Sequence, residues 1–139
     1  MSDKGLDKYF RRNSGEATVD DTAPEEAEVI DDIGAFGFVR GTRDRAVSLE
    51  MRKKTGNILA ISYGWIERIE FNPSEGITIH ALGQQIRVRG RNLNAEVRPY
   101  IRLFESLTRH KVSWIQETDE PTQLSSDMRS TIVEAIEWD

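Results

Sequence analysis

No cysteine occurs anywhere in the chain, which excludes disulfides, thiolate metal sites and cysteine nucleophiles. Histidine is nearly as scarce: His80 and His110 are the only two. Two imidazoles without a close second ligand fall short of a metal site. No nucleophile, base and orienting group can be named as a triple, so no catalytic residue is assigned. The chain reads as a non-enzyme that needs no cofactor. Long apolar runs are missing too. The opening MSDKGLDKYF holds no signal-peptide core, and no stretch reaches membrane-spanning length. A cytoplasmic protein without membrane insertion is the expectation.

Charge is plentiful but unevenly placed. The net charge of −5 over 139 residues hides three blocks. Residues 1–32 carry ten acids and four bases, residues 33–117 eight acids and fourteen bases, and residues 118–139 six acids and one base. A basic middle therefore lies between two acidic ends, an asymmetry that bears on partners more than on fold. The first block, with SGEATVDDTAPEEAEVIDD, has too little apolar content to offset its ordering entropy and reads as a disordered tail over residues 1–32. Within it Leu6, Tyr9 and Phe10 stand at i, i+3, i+4, a candidate partner contact. One helical turn is too short to hold itself, so three scattered apolar residues are the plainer reading.

Residues 46–91 read AVSLEMRKKTGNILAISYGWIERIEFNPSEGITIHALGQQIRVRGR, with apolar residues alternating and turn residues at short intervals. Val47, Leu49 and Met51 share one face of a strand at period two, as do Ile77, Ile79 and Ala81, then Ile86 and Val88. Thr55-Gly56-Asn57 and Gly83-Gln84 read as hairpin turns and Asn72 to Gly76 as a proline turn. Tyr63-Gly64 reads as a bulge or corner. Phe36 and Phe38 open the meander in GAFGFVRG. Its glycines precede no helix and no Gly-Lys-Ser/Thr, so nucleotide binding is rejected there. After Gly90 the period changes. Val97, Ile101, Phe104 and Leu107 predict a helix over about 99–109, with Pro99 at its start. A closing strand follows over residues 111–116, with Val112 and Trp114 inward. Residues 118–124 read as a linker. Met128, Ile132, Ala135 and Ile136 then form a stripe on an acidic C-terminal helix.

The expected fold is mainly β (α+β): an antiparallel meander barrel or roll of about six to seven strands over residues 33–117, closed by a helix. In the order of elements alone it resembles the pleckstrin-homology and GRAM arrangement more than the Sm barrel, whose helix comes first. Arg87, Arg89 and Arg91 fall on one face of a strand, and Arg98, Arg102 and Arg109 follow within or beside the helix, an array suited to phosphates or a nucleic-acid backbone. The plainer reading is a solvated face paired with Glu67, Glu70 or Glu96. Glu67, Glu70 and Glu75 with His80 could form an acid–base group, but two glutamates three apart on a strand point to opposite faces unless a bulge intervenes. The function expected is a binding or adaptor module for a protein or an anionic ligand. A nucleic-acid-binding domain using the arginine strand is the alternative, and a small enzyme the second. Met128, Ile132 and Ile136 join Leu6, Tyr9 and Phe10 as candidate partner contacts. The C-terminal helix or a strand edge is where a homo-oligomer would form.

Overall fold

A computed structural model describes residues 29–118 and 130–139. Leu6, Tyr9, Phe10 and Met128 lie outside these residues, as do residues 1–28 of the expected tail. Strand dominates, arranged in two main sheets around one core. The first sheet holds β1 (Ile30–Asp32), β2 (Phe36–Val39), β3 (Ser48–Arg52), β4 (Ile58–Ser62) and β10 (Val112–Gln116), in the order β1-β2-β10-β3-β4. The second holds β5 (Ile66–Asn72), β6 (Gly76–Ala81), β7 (Gln84–Arg91) and β11 (Ile132–Glu137), in the order β11-β7-β6-β5. A small ribbon of β8 (Glu96–Arg98) and β9 (Ile101–Arg102) leads into a single-turn helix, α1 (Leu103–Thr108). The sheets do not close into a barrel. Every pairing is antiparallel except β10 with β3.

The period-two pattern places the core. Leu49, Met51, Ile77, Ile79, Ile86 and Val88 are each at most 1% exposed and belong to one cluster that draws on both sheets. Val47 departs from the expected face: it lies before β3 and is 78% exposed. The turns follow their chemistry. Leu82 and Gly83, both at positive φ, make the two-residue turn between β6 and β7 that a right-twisted hairpin prefers, so Gln84 already belongs to the strand. Asn72 Oδ1 accepts the amides of Ser74 (2.7 Å) and Glu75 (3.2 Å), closing the proline turn. A 3-10 turn over Tyr63–Trp65 carries the chain from β4 in one sheet to β5 in the other.

Three expectations are corrected. The last residues assigned to the disordered tail, Ile30–Asp32, instead form β1 and pair with β2. The helix over 99–109 shrinks to α1, because Pro99 and Tyr100 form the turn that joins β8 to β9. Arg98 pairs with Ile101, and Tyr100 takes φ 68°, the positive angle a type II turn requires after its proline. The largest change is at the C-terminus. Ile132 and Ile136 lie on a strand, β11, which pairs with β7 from Ile132↔Arg91 to Glu137↔Arg87. At 5% and 2% exposure they are buried against their own domain and are not offered to a partner.

Packing explains why a strand prevails here. Val133 and Ile136 are buried opposite Gly90 and Val88, and a bulge between Val133 and Ala135 leaves Glu134 out of register. A β-carbon at position 90 would overlap the Ile132 carbonyl oxygen, so glycine is what lets β11 approach β7. Glu117 adds a clamp between the sheets. Its carboxylate accepts the amide of Lys54 (2.8 Å) on the β3–β4 turn and that of Ile136 (2.6 Å) on β11. Ile136→Ala should therefore cost about 2–5 kcal/mol in denaturant unfolding, the usual range for truncating a buried isoleucine. Gly90→Ala should raise hydrogen exchange along β11 before it affects β3 and β4. Wild-type stability in Ile136→Ala would be incompatible with this packing.

Candidate anion-binding cleft

The arginine strand comes first, because the sequence singled it out. β7 does present Arg89 and Arg91 on its outer face, but both meet carboxylates from the strand added beside it. Arg89 Nε lies 3.2 Å from Glu137 and Arg91 Nε 3.5 Å from Glu134. Arg87 is half-buried opposite Glu137 in the same register. Arg102 donates to the Asn94 carbonyl at 3.0 Å and lies 3.5 Å from Glu96. Arg98, on β8, lies near enough to Asp31 to help hold its carboxyl below the usual range, after the dominant hydrogen bond from Arg40. The five arginines thus do not converge. Exposed ion pairs of this kind contribute little stability, yet they cancel the positive potential that a phosphate backbone would need.

The glutamate–histidine group is likewise a surface pairing. A bulge at Glu67 does interrupt β5, between Ile66 and Arg68. It is Glu70 that meets His80, with Oε1 2.9 Å from Nε2, and Arg68 lies 3.4 Å from the same carboxylate. The hydrogen bond from His80, followed by the charges of Arg68 and His80, holds the Glu70 carboxyl below its ordinary value despite some opposing desolvation. Among the described residues, no group of three or more His, Asp or Glu side chains is placed to hold a metal.

Cations do converge elsewhere, in a cleft of about 410 Å³ between the loop after β2 and the end of α1. Two local devices build it. First, α1 ends in a Schellman motif: His110 takes φ 59°, its amide donates to Leu107 O (3.1 Å), and the Lys111 amide donates to Ser106 O (2.9 Å). Histidine stands where glycine is usual, and its ring stacks on Tyr63 at 4.5 Å between centroids. This termination turns Arg109 into the cleft and sends Lys111 beneath it. Second, Gly41 to Arg45 folds back over Lys111. Lys111 Nζ donates to the carbonyls of Gly41 and Asp44, the latter at 2.8 Å. Arg45 Nη1 donates to those of Thr42 (3.3 Å) and Asp44 (3.1 Å).

Three cations therefore share this wall, and the lining contains one carboxylate, Glu105, which lies 3.2 Å from Arg109. The Lys111 ammonium is buried, with neutral carbonyls as its partners. Its pKa is lowered, first by desolvation and then by the charge of Arg45, while the nearby Asp44 carboxylate pulls the other way. Burial thus disfavours the charged form of Lys111 more than its neighbours' charges do. Phe38 and Tyr100 supply aromatic surface, and Ser106 and Thr42 supply hydroxyls. A second, more open cleft of about 530 Å³, between the Pro73 turn and the loop at 90–95, has Arg91 as its one charged lining residue. That guanidinium is already paired with Glu134.

Tyr100 stands apart from every other residue of the site. It is 91% exposed and holds φ 68°, a conformation that costs an L-residue roughly 1–2 kcal/mol. Its side chain gains nothing from burial to offset that cost. Its amide donates to Glu96 Oε2 at 2.9 Å, which fixes the backbone from which the ring projects at the rim. The sequence reading missed Tyr100, Arg45 and Lys111 as site residues. The available signal was Pro99 followed by tyrosine, where a type II turn calls for glycine.

Two outcomes test this geometry. In Lys111→Met the loop loses the ammonium that gathers its carbonyls, so exchange of the Asp44 amide should rise at least about fivefold, the equivalent of one hydrogen bond of about 1 kcal/mol. Unchanged exchange would mean that Lys111 does not organise the loop. For Glu70, a depressed folded-state pKa means stability that is present above the unfolded value and lost as pH falls through the folded one. Glu70→Gln should thus be slightly less stable than wild type at neutral pH, and the gap should close as pH falls through the depressed folded-state pKa. A gap that persists in acid would place its origin outside the carboxylate charge. Among the described residues no helix is long and apolar enough to cross a membrane. Comparison of the chain with models of known families, with characterised proteins and with solved structures returns no match.

Proposed function

We propose that the chain is a non-enzymatic binding module whose cleft takes up an acidic or phosphorylated segment of a partner protein. One observation carries the reading: Arg45, Arg109 and Lys111 converge on a cleft with a single carboxylate, beside a tyrosine that is exposed and held at a costly backbone angle. A volume of about 410 Å³ lies within the range of pockets for small groups. Arginines suit a phosphate or carboxylate through paired N–H donors. The aromatic rim would receive the apolar part of the segment that bears the charge. The turn between β8 and β9 requires the positive φ but not a tyrosine to bear it, so the choice of an exposed aromatic residue there supports a role at the cleft.

Affinity for a phosphotyrosine peptide and an acidic peptide, measured by calorimetry, should fall at least about tenfold in the Arg45→Ala, Arg109→Ala double variant, the equivalent of one charge-assisted hydrogen bond. Tyr100→Gly should separate stability from binding. Glycine relieves the positive φ, so the melting temperature should hold or rise, while peptide affinity should drop. A loss of stability with no loss of affinity would make Tyr100 a structural residue and remove the support it gives. Duplex DNA serves as the competing ligand. Salt-sensitive duplex binding abolished by substituting Arg87, Arg89 and Arg91 would instead favour nucleic-acid recognition.

A further inference from the structure

Sheet edges are unpaired rows of N–H and C=O groups, and folded proteins ordinarily guard them with charge, proline or cover. Three of the four edges of the two main sheets are guarded by charge. β1 carries Asp31 and Asp32, β5 carries Glu67, Arg68 and Glu70, and β11 carries Glu134 and Glu137. β4, at the edge of the five-stranded sheet, reads ILAIS, with no charge and no proline. Among the described residues its one strand neighbour is β3.

The hydrogen-bond phase of this edge can be fixed. The Lys53 amide donates to Asn57 O and the Tyr63 amide to Val47 O, both at 2.9 Å. With the register Ser48↔Ser62 to Arg52↔Ile58, these bonds make 47/63, 49/61, 51/59 and 53/57 the bonded pairs of an alternating antiparallel ladder. The backbone groups of Ile58, Ala60 and Ser62 therefore point out of the sheet. Ile58 is 57% exposed, and Val47 and Trp65, on the segments flanking the edge, are 78% and 58% exposed.

We infer that β4 is a dimerisation edge, pairing antiparallel with β4 of a second copy about a twofold axis at Ala60. Antiparallel pairing centred there sets Ala60 against Ala60 and Ile58 against Ser62 of the other copy, so every outward donor meets an acceptor. A twofold contact brings each residue's charge near its own copy, so an uncharged, small-centred strand is the edge best suited to self-pairing. A second copy thus fits better than a charged segment, which the edge offers no charge to recognise. The two five-stranded sheets would become one of ten. Five residues a side make a small interface, so the association is weak and depends on concentration. The inference is independent of the cleft.

The full-length protein should shift from one-chain to two-chain mass as concentration rises in sedimentation velocity. Amides of Ile58, Ala60 and Ser62 should exchange at least about tenfold more slowly in the dimer, while Leu59 and Ile61, already bonded to β3, should change little. Ala60→Lys sets like charges on the axis and should remain a single chain at every concentration. Ile58→Lys, at a side chain already exposed and opposite Ser62 of the other copy, places on the edge the charge that ordinarily guards such strands, and provides a second test should Ala60→Lys fail to fold. One-chain mass at all concentrations overturns the proposal. So does a dimer that survives both lysines or leaves the three amides fast. Protection of those amides in a dilute single chain would show the edge covered by its own chain and equally defeats it.

Discussion

Val112–Gln116 lies between two hairpins that have no ladder with each other, and the five-stranded sheet depends on this one strand joining both. β10 pairs antiparallel with β2 and parallel with β3, so the β1–β2 and β3–β4 hairpins meet only through a strand some sixty residues further on. Contacts of such separation cost loop-closure entropy before they return any stabilisation. The return is concentrated: Val112 and Ile115 are fully buried, and the buried hydroxyl of Tyr63 donates to Val112 O at 2.6 Å. Desolvation outweighs that hydrogen bond and pushes the phenol well above its ordinary pKa, so Tyr63 stays a neutral donor. Gly37 makes room for Trp114, whose indole occupies the space a β-carbon would need.

The position of β10 also sets the cleft. Its first residues emerge from the Schellman end of α1, so Lys111 reaches beneath the Gly41–Arg45 loop, and the amide of Ala46, the next residue, donates to His110 O at 2.8 Å. Site and sheet are then one construction. The strand that unites the hairpins fixes the angle at which Arg109 and Lys111 face Arg45. The strained residues Tyr100 and His110 lie at the two ends of the segment containing α1. His110 regains contact by stacking on Tyr63, whereas Tyr100 has no such return.

The legibility of the sequence divides along a physical line. Strands paired without irregularity, such as β6 and β7, were readable because Ile77, Ile79, Ile86 and Val88 keep strict alternation. The misread segments share one cause. β10 has a bulge between Val112 and Trp114, and β11 one between Val133 and Ala135. One extra residue turns the inward spacing from two to three, so Val112 and Ile115 face the core, as do Val133 and Ile136. Ile132, Ala135 and Ile136 stand three and four apart, which with Met128 is also a helix signal, and on that signal the end of the chain reads as a helix. For Trp114 the same parity change reverses the expected face. The ribbon of β8 and β9 deceives similarly, since Val97 and Ile101 stand four apart across a tight turn and both pack on the core. The cleft was less legible still. Its residues come from positions 38–45 and 100–111, and nothing in local pattern announces that a loop and a helix end will meet.

Charge followed a different logic from the one its sequence blocks suggested. An alternating basic strand resembles a nucleic-acid surface until an alternating acidic strand is laid beside it, and β11 is that strand. The acidic C-terminal block reaches the arginine face by β-pairing, with Ile136 opposite Val88 to fix the register that brings Glu137 to Arg89. Hydrophobic register therefore decides which charges meet. The ion pairs are exposed and add little energy of their own; what they change is where positive potential remains. At the cleft, by contrast, Lys111 and Arg45 have carbonyl oxygens as their hydrogen-bond partners, with the Asp44 carboxylate as a nearby opposing charge on Lys111. Carbonyls satisfy hydrogen bonds without cancelling charge. Arg89 and Arg91 of β7 are thus met by carboxylates from a neighbouring strand, whereas the hydrogen bonds of Lys111 and Arg45 at the cleft go to backbone oxygens.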